Sequence, residues 1–125
     1  MTQNFSIDEF QCKCGCKMPA DVHVNIVKLA NNLQVLRNHL KRPITINSAY
    51  RCENHNRNIG GVPNSQHVQG KAADIVVKNL QPKQIQKAID ELILRGDMLQ
   101  GGIGIYNTFT HYDIRKTKAR WDYRN

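Results

Sequence analysis

The segment Ala72–Val77 (AADIVV) places one carboxylate, Asp74, among five apolar side chains. A run this apolar reads as a buried strand, and an ionised carboxylate inside one is costly unless it is paired or bound to a cation. Whatever fold the chain adopts must therefore bring positive charge to Asp74. The upstream segment offers a partner: SQHVQGKAAD sets His67 seven residues before the aspartate. Gly70 between them permits a tight turn that lets both side chains converge. On spacing alone, a lysine salt bridge to Asp74 and a histidine capping a turn explain the segment as well as a metal does.

The rest of the chain supplies the frame. Asp21 to Leu40 predicts a helix with Asp21 as N-cap, because Val22, Ile26, Leu29, Leu33, Leu36 and Leu40 recur at spacings of three and four. Pro43 marks a point the helix cannot reach. A second helix is predicted over Pro82 to Arg95, with Ile85, Ile89, Leu92 and Ile93 as its apolar face and Gly96 as its stop. Strands are predicted at Pro43 to Asn47, Ala72 to Val77, Gly102 to Tyr106 and Phe109 to Arg115, the last two forming a hairpin across Asn107 and Thr108. These elements imply a single α+β domain over residues 1–125: a small antiparallel sheet with helices packed on one face and the other face open for a site. The polar stretch from Arg51 to Gly70 reads as a long loop, which in a compact domain points to function.

A second polar set lies in the last predicted strand. Period-two alternation puts His111, Asp113 and Arg115 on one face and Thr110, Tyr112 and Ile114 on the other. In isolation such a face is the wet side of a half-buried sheet. Beside a carboxylate that needs a cation it completes a set of His67, Asp74 and His111, the two-nitrogen, one-oxygen shell of a catalytic zinc site with its fourth position left to water. Asp113, two residues from a ligand on the same face, is the expected general base. Arg51, at the mouth of the long loop, is placed to hold a substrate carboxylate or a developing oxyanion.

Charge narrows the partners. A formal net charge of +8 and a pI near 9.6 favour an anionic partner, whether nucleic acid, membrane surface or wall polymer. The basic residues are scattered, and even the densest run, RKTKARWDYR, is interrupted by Trp121 and Tyr123. We therefore expect no specific nucleic-acid binding. No apolar stretch approaches the roughly 20 residues that cross a bilayer, and the opening residues lack a secretory signal. The expectation is a monomer made in the cytoplasm that does not insert into membranes. The cysteines Cys12, Cys14, Cys16 and Cys52 lack the CxxC spacing of zinc ribbons. A structural metal, a disulfide and plain packing all remain open for them.

SAYRCENHN, then GGVPNSQHVQGKAADI, then FTHYDIR and a closing ARW together resemble the zinc D-alanyl-D-alanine carboxypeptidase family. That family includes murein endopeptidases and phage endolysins, and its fold is shared with hedgehog signalling domains. The opening FSIDEFQCKCGC is similar to the start of its small phage-encoded members. The resemblance runs from Phe5 to Trp121. It implies zinc on His67, Asp74 and His111, and substrate or transition-state binding by Arg51. Ser65 and His55, within the matching stretches, are further candidates for substrate contact. Many relatives carry a catalytic acid three residues before the last histidine ligand, where this chain has Thr108, so the base falls to Asp113 or to a residue the motifs do not mark.

The expected function is hydrolysis of amide bonds in the stem or cross-link peptides of peptidoglycan, by a phage or prophage lysis protein released at lysis or carried on a virion to the wall. The competing expectation is a catalytically silent, metal-stabilised module that binds peptidoglycan. His23 and His39 are expected to be ordinary helix-surface residues; Trp121 and Tyr123 either pack the C-terminus or form a wall-binding platform, with packing favoured for Trp121.

Overall fold

The computed structural model describes all of residues 1–125. A 3-10 turn at Ile7–Phe10 precedes α1 (Ala20–Leu40), β1 (Ile44–Ser48), α2 (Glu53–Asn58), β2 (Ala72–Val77), α3 (Pro82–Leu94), β3 (Gly102–Ile105), β4 (Thr110–Asp113) and β5 (Ala119–Asp122). The strands form one sheet in the order β1-β2-β4-β3-β5. The class is α+β, as the sequence indicates, with one difference. The first four strands pair antiparallel, but β5 joins β3 in parallel, so the sheet is mixed.

Helices and sheet share one core. On the inner sheet face Ile44, Ile46, Ala73, Ile75, Val77, Ile103 and Tyr112 join Ile26, Leu29, Leu33 and Leu36 of α1 and Ile85, Ile89 and Leu92 of α3 in a single apolar cluster. Burying each such aliphatic side chain stabilises by about 1.5–3 kcal/mol before the entropy of ordering it is counted. Two polar groups enter this core with partners. The Tyr112 hydroxyl donates to Leu99 O at 2.8 Å, and Asn32 Oδ1 accepts from Leu99 N at 2.7 Å.

Helix boundaries follow local chemistry. Helix α1 begins one residue earlier than expected, with Pro19 at the cap and Asp21 inside the first turn. There its carboxylate faces the positive end of the helix dipole. Lys41 closes the helix in the left-handed region at φ 57°, with its N–H on Arg37 O. Helix α3 carries its proline in the first turn, and Gly96 follows it at φ +82°. The stretch expected to be a long loop contains α2, capped by Cys52, whose sulfur accepts from His55 N. Its sequence, ENHNRN, has no apolar periodicity to announce it.

Gly70 delivers the chain into β2. It sits at φ +73°, and a Cβ there would lie 2.7 Å from Val22 Cγ1 and 2.9 Å from Val22 O. Both the left-handed backbone and the close approach of α1 exclude a side chain. Gly70→Ala is expected to lower the unfolding free energy by about 2–4 kcal/mol, the sum of a left-handed penalty and overpacking. Denaturant titration measures it, and a loss below about 1 kcal/mol would show that the turn relaxes freely.

Candidate metal centre

The outer face of the sheet carries one continuous row of paired residues. Ser48 on β1 pairs with Asp74 on β2, Asp74 with His111 on β4, His111 with Gly104 on β3, and Gly104 with Trp121 on β5. A bulge between Ile46 and Ser48 keeps Ile46 on the core side and brings Ser48 to the row, the re-aiming that bulges produce. At Gly104 an added Cβ would run into the Trp121 indole. Glycine there lets the indole approach His111, with ring centroids 5.1 Å apart.

His67 arrives from the turns before β2 and completes a cluster with Asp74 and His111, all three buried. His67 Nε2 lies 3.2 Å from Asp74 Oδ1, and His111 Nδ1 lies 3.1 Å from the same oxygen. The far nitrogen of each ring is already committed. His67 Nδ1 lies 2.7 Å from the carbonyl of Ala49, which can only accept, so this nitrogen carries the hydrogen. His111 Nε2 lies 2.7 Å from Asp113 Oδ2, so it too is the N–H donor. In their neutral forms both imidazoles therefore point a lone pair at a carboxylate oxygen.

Three lone pairs directed at one buried point require a cation among them. Burial alone would push the Asp74 carboxyl up. When the imidazoles are protonated, hydrogen bonds from His111 and His67 overcome it and hold the group well below the usual carboxylate range. Burial also opposes charge on His111, yet its bonds to Asp113 and Asp74 raise it above its ordinary value. The cluster thus attracts positive charge, as protons or as a metal. The donor set fits zinc: tetrahedral bonds of about 2.0–2.1 Å to nitrogen and oxygen imply ligand–ligand edges of about 3.3 Å.

Asp113, the expected general base, sits behind His111, on its Nε2 side. It is fully buried and its carboxylate is spent: Oδ2 accepts from His111 Nε2 and Arg115 Nη2, both at 2.7 Å, and Oδ1 from Arg115 Nε at 2.8 Å and Gly102 N at 2.9 Å. Burial raises its pKa, but the bonds from His111 and Arg115 pull it well below the usual range. A carboxylate so held has no face toward the cleft from which to take a proton. It instead fixes the tautomer and ring orientation of His111, as outer partners of metal-binding histidines do.

Arg51 supports Asp74 from the other side. Its Nη2 donates to Asp74 Oδ2 at 3.2 Å, its Nε to Ser48 Oγ at 3.1 Å and its Nη1 to Asn56 Oδ1 at 3.3 Å. Three of the five guanidinium N–H donors are thereby engaged and two are left. Arg51 lines a cleft of about 480 Å³ that opens onto the cluster. Ser65 also lines it, and its hydroxyl accepts from His67 N at 3.2 Å. His55 does not reach the cleft, and Thr108 is exposed at the hairpin tip.

The far wall of the cleft is aromatic, and of its residues the sequence singles out only Trp121. Tyr106 and Phe109 stack at 4.4 Å across the hairpin turn, and the Trp121 indole donates to the Tyr106 hydroxyl at 2.9 Å. Arg115 lies over the indole, 5.3 Å from its centroid. Trp121, for which packing is the favoured use, packs against these groups and at the same time lines the cleft, half-exposed. The available signal was the hairpin: residues flanking its turn lie beside the strand that carries His111. The other missed contact, the Ala49 carbonyl that orients His67, carries no side-chain signature.

Two buried histidines and a carboxylate, with Asp74 and His111 mounted on the sheet, backed by oriented partners and open to a cleft, form the donor set of a hydrolytic metal centre. The profile of the family described as Peptidase M15 matches residues 3–113, and the chain belongs to that family of zinc-dependent metallopeptidases. No curated protein matches it. No helix is long and apolar enough to cross a membrane.

Removing the outer partner gives a direct check on the site. Asp113→Ala is expected to weaken zinc binding by about 10–100-fold, read by competition with a chromophoric chelator. Unchanged affinity would show that His111 is oriented without it.

Proposed function

We propose that this protein hydrolyses an amide bond in the stem or cross-link peptides of bacterial peptidoglycan, as a phage or prophage type of lysis enzyme. The observation that carries the reading is the cleft, where the buried His67, Asp74 and His111 cluster meets two cationic side chains, Arg51 and Arg115. Stem peptides carry free carboxylates, and planar guanidinium groups bind these by paired hydrogen bonds. The net charge of +8 favours residence on an anionic wall after release by lysis or delivery on a virion. Zinc held by the three ligands would polarise a bound carbonyl and acidify a water.

The protein's own residues perform the rest. Asp113 and the Ala49 carbonyl hold the two imidazoles in their binding tautomers. The Arg51 guanidinium is pre-positioned by Ser48, Asn56 and Asp74, so its two remaining donors meet a substrate carboxylate or developing oxyanion with little ordering cost. Tyr106, Phe109 and Trp121 give the substrate an apolar wall and shield one side of the site from water.

One observation favours a second reading, a silent peptidoglycan-binding module. Asp74 is the only carboxylate lining the cleft, so no free acid there is available to relay a proton. In that case wall affinity would persist with no bond cleaved.

Two experiments separate these readings. Purified peptidoglycan is expected to release new amino and carboxyl groups with the zinc-loaded protein. His67→Ala should lower that release by about 10³-fold or more, and chelation should abolish it until zinc is restored. Intact walls from several bacteria after exposure to zinc-loaded protein would favour the binding module. With zinc in excess, Arg51→Ala is expected to lower kcat/KM by about 10²-fold through loss of a positioned donor. An unchanged kcat/KM would assign the arginine to Asp74 alone.

A further inference from the structure

All four cysteines of the chain meet at one place, share no residue with the His67, Asp74 and His111 cluster and are unused by the proposed chemistry. Three come from the CKCGC segment and the fourth, Cys52, stands directly before α2. Their sulfurs all lie within 4.8 Å of one another, with Cys12 and Cys14 at 3.3 Å and Cys14 and Cys52 at 3.5 Å. All four are free thiols. We propose that Cys12, Cys14, Cys16 and Cys52 bind a second zinc ion as a closed, structural tetrathiolate site.

The backbone is arranged for it. Gly15 N donates to Cys12 O at 3.0 Å, closing a tight turn, and Gly15 takes φ +86°. A Cβ at Gly15 would meet nothing within 4 Å, so glycine serves the dihedral and not the space. The turn folds three alternating cysteines onto one centre, which explains how the segment can act without CxxC spacing. Two backbone N–H groups point at sulfur: Cys52 N to Cys12 Sγ and His55 N to Cys52 Sγ, both at 3.4 Å. Such donors stabilise the thiolate form that zinc requires.

Packing alone does not account for the gathering. Only Cys12 is buried, Cys14 is exposed and the other two are half-buried. Apolar clustering would hide the sulfurs, whereas a metal needs only that they converge. Tetrahedral sulfur ligation selects zinc or iron among common metals, and the four thiols release their protons to solvent as the ion binds. Four protein ligands leave no position for water or substrate, so this site is structural.

Its location gives it a task. Tyr50 N donates to Phe10 O at 3.1 Å, and Arg51 N to His67 O at 3.1 Å, so the Cys52 segment lies between the N-terminal turn and the catalytic cluster. An ion joining Cys52 to Cys12, Cys14 and Cys16 staples the first sixteen residues to the stretch that carries Arg51.

Metal analysis of protein expressed with ample zinc tests this. Wild type is expected to hold two zinc ions per chain, and His67→Ala one. Adding Cys14→Ser and Cys52→Ser to His67→Ala should remove the last. In case the triple variant fails to fold, an organomercurial, which attacks thiolates and spares imidazoles, should release one zinc per chain from His67→Ala protein. Cobalt loaded into that protein should give intense thiolate-to-metal charge-transfer absorption. His67→Ala protein that holds no zinc, holds iron instead, or shows the mass deficit of two hydrogens per bridge that marks disulfides would overturn the proposal. The readings on His67→Ala protein do not depend on the catalytic cluster, which that substitution has already disabled.

Discussion

Asp74 Oδ1 faces the unprotonated nitrogens of two imidazoles, each locked into that tautomer by a partner behind it. In water such an arrangement would disperse at once. Here it persists because β2 cannot leave the sheet without exposing Ala73, Ile75 and Val77, and Asp74 is carried with them. Core burial on one face thus creates an electrostatic demand on the other. Arg51 meets part of that demand at Oδ2, and the point at Oδ1 is left for a cation.

The sheet register does most of the positioning. Asp74 and His111 are direct cross-strand partners, so their approach is set by backbone hydrogen bonds and not by flexible side chains. Functional groups mounted on strands in this way are held more precisely than those on loops. The same row has a gap at Gly104, which admits Trp121, and a bulge before Ser48, which gives Arg51 an acceptor. His67 alone comes from outside the sheet, and it is tied to the Ala49 carbonyl and, through its N–H, to the Ser65 hydroxyl.

Sequence patterns revealed the parts governed by periodicity and by cost. The faces of α1 and α3 follow helical spacing, β2 announces itself by apolar content, and Asp74 stands out because burying it is expensive. Elements without such a signature stayed hidden. Helix α2 is polar throughout, and β5 (ARWD) lacks the alternation that marks a strand. The surroundings of Asp113 are illegible in the sequence for a definite reason. Alternation correctly put it beside His111, but only the structure shows that Arg115 and Gly102 close off its remaining lone pairs. The cysteines were ambiguous because their convergence depends on one glycine dihedral and on a residue distant in the chain.

The central claim is that His67, Asp74 and His111 share one zinc ion. Anomalous scattering at the zinc absorption edge, from crystals grown with the metal supplied, tests it most directly. The account predicts a peak between His67 Nε2, Asp74 Oδ1 and His111 Nδ1, with bonds of about 2.0–2.1 Å to each. No peak there, with the two imidazoles hydrogen-bonded straight to the carboxylate, would contradict it and leave the cluster as a buried ion-pair triad.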